Sequence, residues 1–163
     1  MFNYKNLCNL LPIIILTGCR FSAGVKKDLY TGLTFQYYDC TVNDVQLKDN
    51  AGIPLTSNLV HLNSQVEIAA TGVGNFQLVN GRAYPGCELT VQDSTGKIIA
   101  QAPNVLADAS REGIVTNNLL DLSATVSFSE PLVKGQTYEI TARFFDTKKQ
   151  KREVVTKVDL WLN

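Results

Sequence analysis

The sequence predicts an all-β domain, a two-sheet antiparallel β-sandwich, and three observations predict it. Apolar and polar residues alternate with period two over five or more positions in several stretches, the signature of half-buried strands. The same turn chemistry recurs between those stretches. Helical signal is sparse, and about eight strands with little helix fit two packed sheets; a small barrel is the competing architecture.

Residues 1–18 stand apart from this pattern. Lys5 supplies a positive charge, Leu7 to Leu16 is an apolar stretch broken by Asn9 and Pro12, and small residues Thr17 and Gly18 precede Cys19. That is the layout of a secretory signal, and the stretch is shorter than the roughly 20 residues that span a bilayer. Leu16-Thr17-Gly18-Cys19 resembles the lipobox of bacterial lipoproteins. The resemblance implies cleavage before Cys19 and acylation of that residue. At roughly 0.8 kcal/mol per buried methylene, several acyl chains make such an anchor effectively permanent. The alternatives are an ordinary secretory signal cut near Ser22-Ala23-Gly24, or a buried N-terminal helix. Arg20 follows the cysteine where aspartate favours inner-membrane retention, so the expected address is the outer membrane, periplasm-facing. No acidic run of the kind that marks surface display follows Cys19, and display at the cell surface is the alternative address.

The expected organisation is a signal peptide over 1–18, a lipidated tether over 19–27 and the sandwich over 28–163. The elements follow in order. Val45 to Gly52 reads as a strand running into the tip Asp49-Asn50-Ala51-Gly52. Val66, Ile68 and Ala70 alternate with polar or small neighbours as a second strand, and Gly72-Val73-Gly74-Asn75 reads as a turn. Cys87, Leu89 and Val91 form a strand that ends in Asp93-Ser94-Thr95-Gly96. In both tips Asp can bond its own downstream backbone and Gly can take positive φ. A strand over 97–101 comes next, then a short helical turn over Pro103 to Asp108, and a turn or loop at Asn117 to Leu120. Leu122, Ala124, Val126 and Phe128 mark another strand. Tyr138, Ile140, Ala142 and Phe144 mark the one after it, and Val154 through Leu162 close the chain beyond the tip Asp146 to Lys151.

Val133 to Ile140, with Tyr138 near its strand start, resembles the approach to a late strand of immunoglobulin-like domains. There a tyrosine pins the preceding loop, and the resemblance implies an immunoglobulin-like sandwich. The chain after the signal is also similar to Bacteroidota envelope lipoproteins, through Lys27 to Leu33 and Asn80 to Cys87. That similarity implies location and fold class and no chemistry.

Cleavage before Cys19 leaves 145 residues, one domain of ordinary size. It removes Lys5 and takes the formal charge from 0 to −1, so nucleic acid has no electrostatic support as a partner. Cys8 leaves with the signal and Cys19 is lipidated. Cys40 and Cys87 remain, an even pair in an oxidising compartment and the candidate disulfide. A bridge would close a loop of about 47 residues and stabilise by roughly 4 kcal/mol; two buried thiols are the alternative.

No constellation for catalysis is visible. His61 is the one histidine, among apolar neighbours, with no carboxylate beside it for acid–base work. No Gly-x-Ser-x-Gly elbow hosts a nucleophile. Cys40 and Cys87 lack paired zinc-ligand spacing. Calcium would have to use Asp49 and Asp93, each lacking a second acidic residue in its own tip. No enzyme, metal or cofactor is expected.

Four binding candidates are left. Lys148, Lys149, Lys151 and Arg152 make a dense basic tip, either a charged guard on a sheet edge or a contact for anionic lipid, lipopolysaccharide or an acidic partner. Phe35, Tyr37 and Tyr38, with Phe76 and Tyr84, are either core or a glycan platform. Asp93-Ser94-Thr95 resembles the Bacteroidota O-glycosylation motif, which implies a glycan on Ser94. The last is the membrane itself, through Cys19. The expected function is a lipid-anchored, non-catalytic binding or assembly module whose partner is an envelope protein or glycan. The alternatives are an accessory that docks a larger envelope machine and a carbohydrate-binding or adhesion protein.

Overall fold

A computed structural model describes residues 22–163. The strands, in chain order, are β1 (Ala23–Lys27), β2 (Thr34–Tyr38), β3 (Asp44–Asp49), β4 (Leu59–Val60), β5 (Gln65–Gly74), β6 (Arg82–Ala83), β7 (Pro85–Asp93), β8 (Ile98–Ala102), β9 (Ile114–Val115), β10 (Leu119–Ser127), β11 (Gln136–Asp146) and β12 (Glu153–Leu162); one short helix, α1, covers Ala107–Glu112. The larger sheet runs β1-β2-β12-β11-β7-β8, with β4 added in parallel beside the end of β12. The smaller sheet is β10-β5-β3, and β6 and β9 form a two-stranded ribbon. All pairings except β4 with β12 are antiparallel. The chain passes from β5 in the smaller sheet to β7 and β8 in the larger. It returns to the smaller as β10 and finishes as the β11–β12 hairpin, an immunoglobulin-like two-sheet sandwich.

Alternation sets which side chains enter the core. In β12, Val154, Thr156, Val158, Leu160 and Leu162 are buried; in β11, Tyr138, Ile140, Ala142 and Phe144 are. Val66, Ile68 and Ala70 of β5 and Leu122, Ala124 and Val126 of β10 face them from the smaller sheet. Each large apolar side chain removed from water contributes roughly 1.5–3 kcal/mol. Thr156 is the polar exception: its hydroxyl donates to the Ala142 carbonyl at 3.0 Å, so nothing polar is left unpaired there.

Gly72-Val73-Gly74 is not a turn. It is the end of β5, distorted by a bulge where the register against β10 slips between Leu120 and Leu122. Gly72 sits at φ +62° and its N–H donates to Asp121 Oδ1 at 2.9 Å. The extra residue shifts the phase of β5, so that Val73 rather than Gly72 points inward. Part of the expected tether is also strand: Ala23–Lys27 pairs along its whole length with β2. The short helix lies at Ala107–Glu112, later than the predicted 103–108, because Asn104 turns the chain first. Its Oδ1 accepts the N–H groups of Cys87 and Leu106, each at 3.0 Å.

Tyr138 does pin the preceding loop: the Val133 N–H donates to its hydroxyl at 2.8 Å. Three glycines let an aromatic ring lie against the backbone, Gly24 under Tyr37, Gly86 under Phe145 and Gly113 against Tyr84. Tyr37 packs on the core and Phe35 and Phe76 are buried within it, so most of the expected aromatic platform is spent on packing.

The expected disulfide is absent. Cys40 and Cys87 are free, fully buried thiols. One row of paired residues explains why: Tyr38, Glu153, Phe145 and Gly86 lie side by side across β2, β12, β11 and β7. The cysteines therefore flank two intervening strands. Three inter-strand spacings come to about 14 Å, against the roughly 7 Å limit for bridged Cα atoms. The Cys40 thiol donates to the Glu153 carbonyl at 3.2 Å. Burial, with the Asp39 and Glu153 carboxylates nearby, pushes it up to about 11. Burial pushes Cys87 up to about 12. Both thiols are expected to resist alkylation at pH 8 in the folded protein and to react promptly once it is unfolded. Above the ordinary thiol value of 9.0 the unfolded chain sheds protons that the native chain keeps, so stability should fall as pH rises from 9.0 toward 11–12. Peptide mapping after a thiol-labelling pulse checks the first statement; rapid labelling of Cys40 or Cys87 in the folded chain would contradict it.

Candidate functional site

Two features of the sandwich have the geometry of contact surfaces. The first is the end at which the chain enters β1. The Asp39 N–H donates to the Ser22 carbonyl at 2.8 Å, closing the β1–β2 pair. The Asp39 carboxylate lies 3.4 Å from Arg152 Nε and 3.8 Å from Lys149 Nζ, which ties the basic β11–β12 tip to the start of the domain. Lys148 Nζ sits over the Tyr84 ring, 4.3 Å from its centre. Lys151 is exposed and makes no ion pair with the described residues. The four predicted basic residues are thus brought together, and Arg152 is the most enclosed of them.

Asp146 holds this tip in shape. It is fully buried, with Oδ2 accepting the Gln77 N–H at 2.6 Å and Oδ1 accepting the Lys148 N–H at 2.9 Å. Its backbone N–H closes the hairpin on the Arg152 carbonyl at 3.0 Å. Thr147 adds a second tie, donating through both its N–H and its hydroxyl to the Tyr84 carbonyl. A buried carboxylate is stable there because each oxygen accepts a hydrogen bond.

The second feature is a cleft of about 410 Å³ where the two sheets part, between the β1–β2 hairpin and β3. Phe35 with Val45 and Leu47 gives it apolar walls, and Lys26, Tyr30, Gln46 and Thr56 give it polar ones. Lys26 spans the gap: its Nζ lies 5.8 Å from the Phe35 ring centre and donates to the Asn43 carbonyl at 3.4 Å. The loop above is ordered by Asp28, which accepts the Thr31 hydroxyl at 2.5 Å and the Tyr30 N–H at 3.0 Å. Those bonds, the Thr31 hydroxyl first, hold the Asp28 carboxyl below the usual carboxylate range. Leu29 and Tyr30 are left exposed at the loop tip. The cleft draws on residues 26–35 and 44–56, and no local pattern in the sequence marks it.

The other predicted sites lie apart from both features. Asp49 and Asp93 spend their carboxylates on their own turns. Asp49 Oδ1 accepts the N–H groups of Ala51 and Ile53; Asp93 Oδ1 accepts the N–H groups of Thr95 and Lys97 and the Thr95 hydroxyl. That hydroxyl is the main reason the Asp93 carboxyl stays low. Ser94 is exposed at the β7–β8 tip and His61 is exposed in a loop. Among the described residues, no three His, Cys, Asp or Glu side chains come together as a metal site. Cys19, the predicted lipidation site, lies outside the described residues.

No family model matches the chain, and no curated protein matches it. Solved structures do, and 28 chains match. The crystal structure of the C-terminal domain of wzt matches with a TM-score of 0.53 at 10% identity, covering 90% of this chain and 80% of that one. Chicken MD-1 complexed with lipid IVa matches at a TM-score of 0.36 and 12% identity, over 87% of this chain and 99% of that one. The wzt domain shares the β-rich fold described above, at an identity that speaks for the fold alone.

Proposed function

We propose that this chain is a non-catalytic binding module of the bacterial cell envelope, held in the outer membrane by lipid on Cys19 and facing the periplasm. The observation that carries the binding reading is the cleft between the sheets. It places a lysine, an amide and a hydroxyl around one opening beside the exposed Tyr30 ring, over a floor made by the largely buried Phe35, Val45 and Leu47. Few precisely placed polar groups around an apolar floor are what a ligand site requires, and the partner is an envelope protein or glycan. The lipobox-like Leu16-Thr17-Gly18-Cys19 supports the address. Ser94, exposed within an Asp-Ser-Thr tip, is the residue we assign to O-glycosylation on its motif.

A photo-crosslinking side chain at Tyr30, in cells producing the full chain, tests the binding reading. A discrete adduct is expected at this position and none from the same side chain at Thr125 on the smaller sheet. Protease or glycosidase sensitivity then tells protein from glycan. Equal adducts at both positions, or none at either, would count against the cleft. Turnover of ester, peptide or glycoside substrates by the purified protein would sink the non-catalytic reading.

A further inference from the structure

We infer that the end of the sandwich carrying Lys148, Lys149, Lys151 and Arg152 rests on the anionic phosphates of the bilayer, so that the domain stands upright with the β7–β8 tip pointing away. This deepens the reading of Cys19 as the attachment point and rests on it.

The chain geometry limits where the basic tip can be. Ser22 is hydrogen-bonded to Asp39, and the Asp39 carboxylate is within 4 Å of both Arg152 and Lys149. Ser22 is three residue steps from Cys19, and an extended chain covers at most roughly 3.3–3.6 Å per residue. The first described residue therefore lies no more than about 11 Å from the lipidated position. That is close to the Debye length of about 8–10 Å, within which surface phosphates attract exposed cations. A basic side chain held near an anionic bilayer surface is attracted to it.

The basic charge at this end is concentrated on the β11–β12 tip, while the neighbouring helix α1, tied to the Pro85 carbonyl by Ser110, carries exposed Asp108 and Glu112 paired with Arg111. Asp39 is the carboxylate in contact with the tip's cations, while Asp146 is buried and bound to backbone N–H groups. Val115, exposed on the β6–β9 ribbon, and Val79, exposed in the turn that leads into it, add apolar contact there. The ribbon runs into Tyr84, which touches the basic tip through Lys148 and Thr147. The register fixes the opposite end. Asp146 pairs with Pro85 and Tyr138 with Asp93, so eight residues of β11 separate the two ends, roughly 27 Å at about 3.4 Å per residue. The cleft lies between them, because Lys27 is four strand residues from Ala23, about 14 Å above the attachment end. An upright domain leaves Ser94 farthest from the bilayer and opens the cleft clear of it.

The test anchors the mature chain from Cys19 through that thiol to a maleimide phospholipid. Cys40 and Cys87 are buried, so coupling is selective. Lysine acetylation is then followed by mass spectrometry on phosphatidylcholine vesicles with and without phosphatidylglycerol. Lys149 and Lys151 should react about threefold or more slowly on the anionic vesicles, while Lys97 and Lys134 at the far end react equally on both. Added salt should remove the protection. Lys149→Gln with Lys151→Gln should abolish the protection of Lys148. Equal rates on the two vesicle types, or protection of Lys97 or Lys134, would overturn the orientation. Because the anchor is supplied chemically, these outcomes are independent of whether cells lipidate Cys19, which the native N-terminal mass decides.

Discussion

Asp146→Ala is expected to destabilise the fold by about 3–6 kcal/mol, since hydrogen bonds to a charged group contribute about 1.5–3 kcal/mol each and two are lost. The Gln77 and Lys148 N–H groups would be left without an acceptor beside an apolar gap. For a domain of this size that loss lowers the melting temperature by roughly 10 °C. Asp146→Asn keeps an acceptor oxygen for one N–H and sets an amide donor against the other, so its cost should be intermediate. The effect should be concentrated locally, with faster amide exchange at Gln77 and through Thr147 to Arg152 than in β5 or β10. A melting curve within a degree of the parent's would show that the buried carboxylate does not hold the tip. The residue that shapes the basic surface is itself hidden beneath it.

Gly72→Ala is the second large effect, about 2–5 kcal/mol. A left-handed conformation costs an L-residue roughly 1–2 kcal/mol, and crowding in a packed position adds about 1–3. The new Cβ would collide with the Asn43 carboxamide; that exposed amide can rotate away, but the Asn43 Cβ, 3.0 Å from the new methyl, is carried by a backbone whose N–H is bonded to the Thr71 carbonyl at 3.0 Å. Denaturant unfolding of Gly72→Ala beside Gly96→Ala separates the two costs. Gly96, at φ +83°, has nothing within 4 Å of its Cβ position, so it should lose only the conformational part. Equal losses at the two positions would mean that the bulge is not tightly packed.

These residues also show what a sequence can and cannot express. The tips at Asp49 and Asp93 are legible because every hydrogen bond that makes them falls within four residues. The alternation in β10, β11 and β12 is legible because one face of each strand is in the core. Gly72 looks like a turn glycine because its reason, the bond to Asp121 and the contact with Asn43, lies 49 and 29 residues away. β1 escaped notice because most of it is exposed, so no apolar alternation marks it as strand. Cysteine parity suggested a bridge, but parity carries no distance, and two strands stand between the thiols. The basic tip was visible as composition. Its position beside the start of the domain follows from a single carboxylate, Asp39, 113 residues from Arg152. The cleft could not be read at all, since its two walls belong to different sheets.

The central claim is that this sandwich is a module tethered to the envelope by its first mature residue. The most direct measurement is the intact mass and N-terminal peptide of the protein extracted from membranes of cells producing the full chain. The account predicts a chain beginning at Cys19 that carries acyl groups and partitions into detergent. A soluble, unacylated chain, or one whose N-terminus lies at Ser22 or beyond, would contradict it.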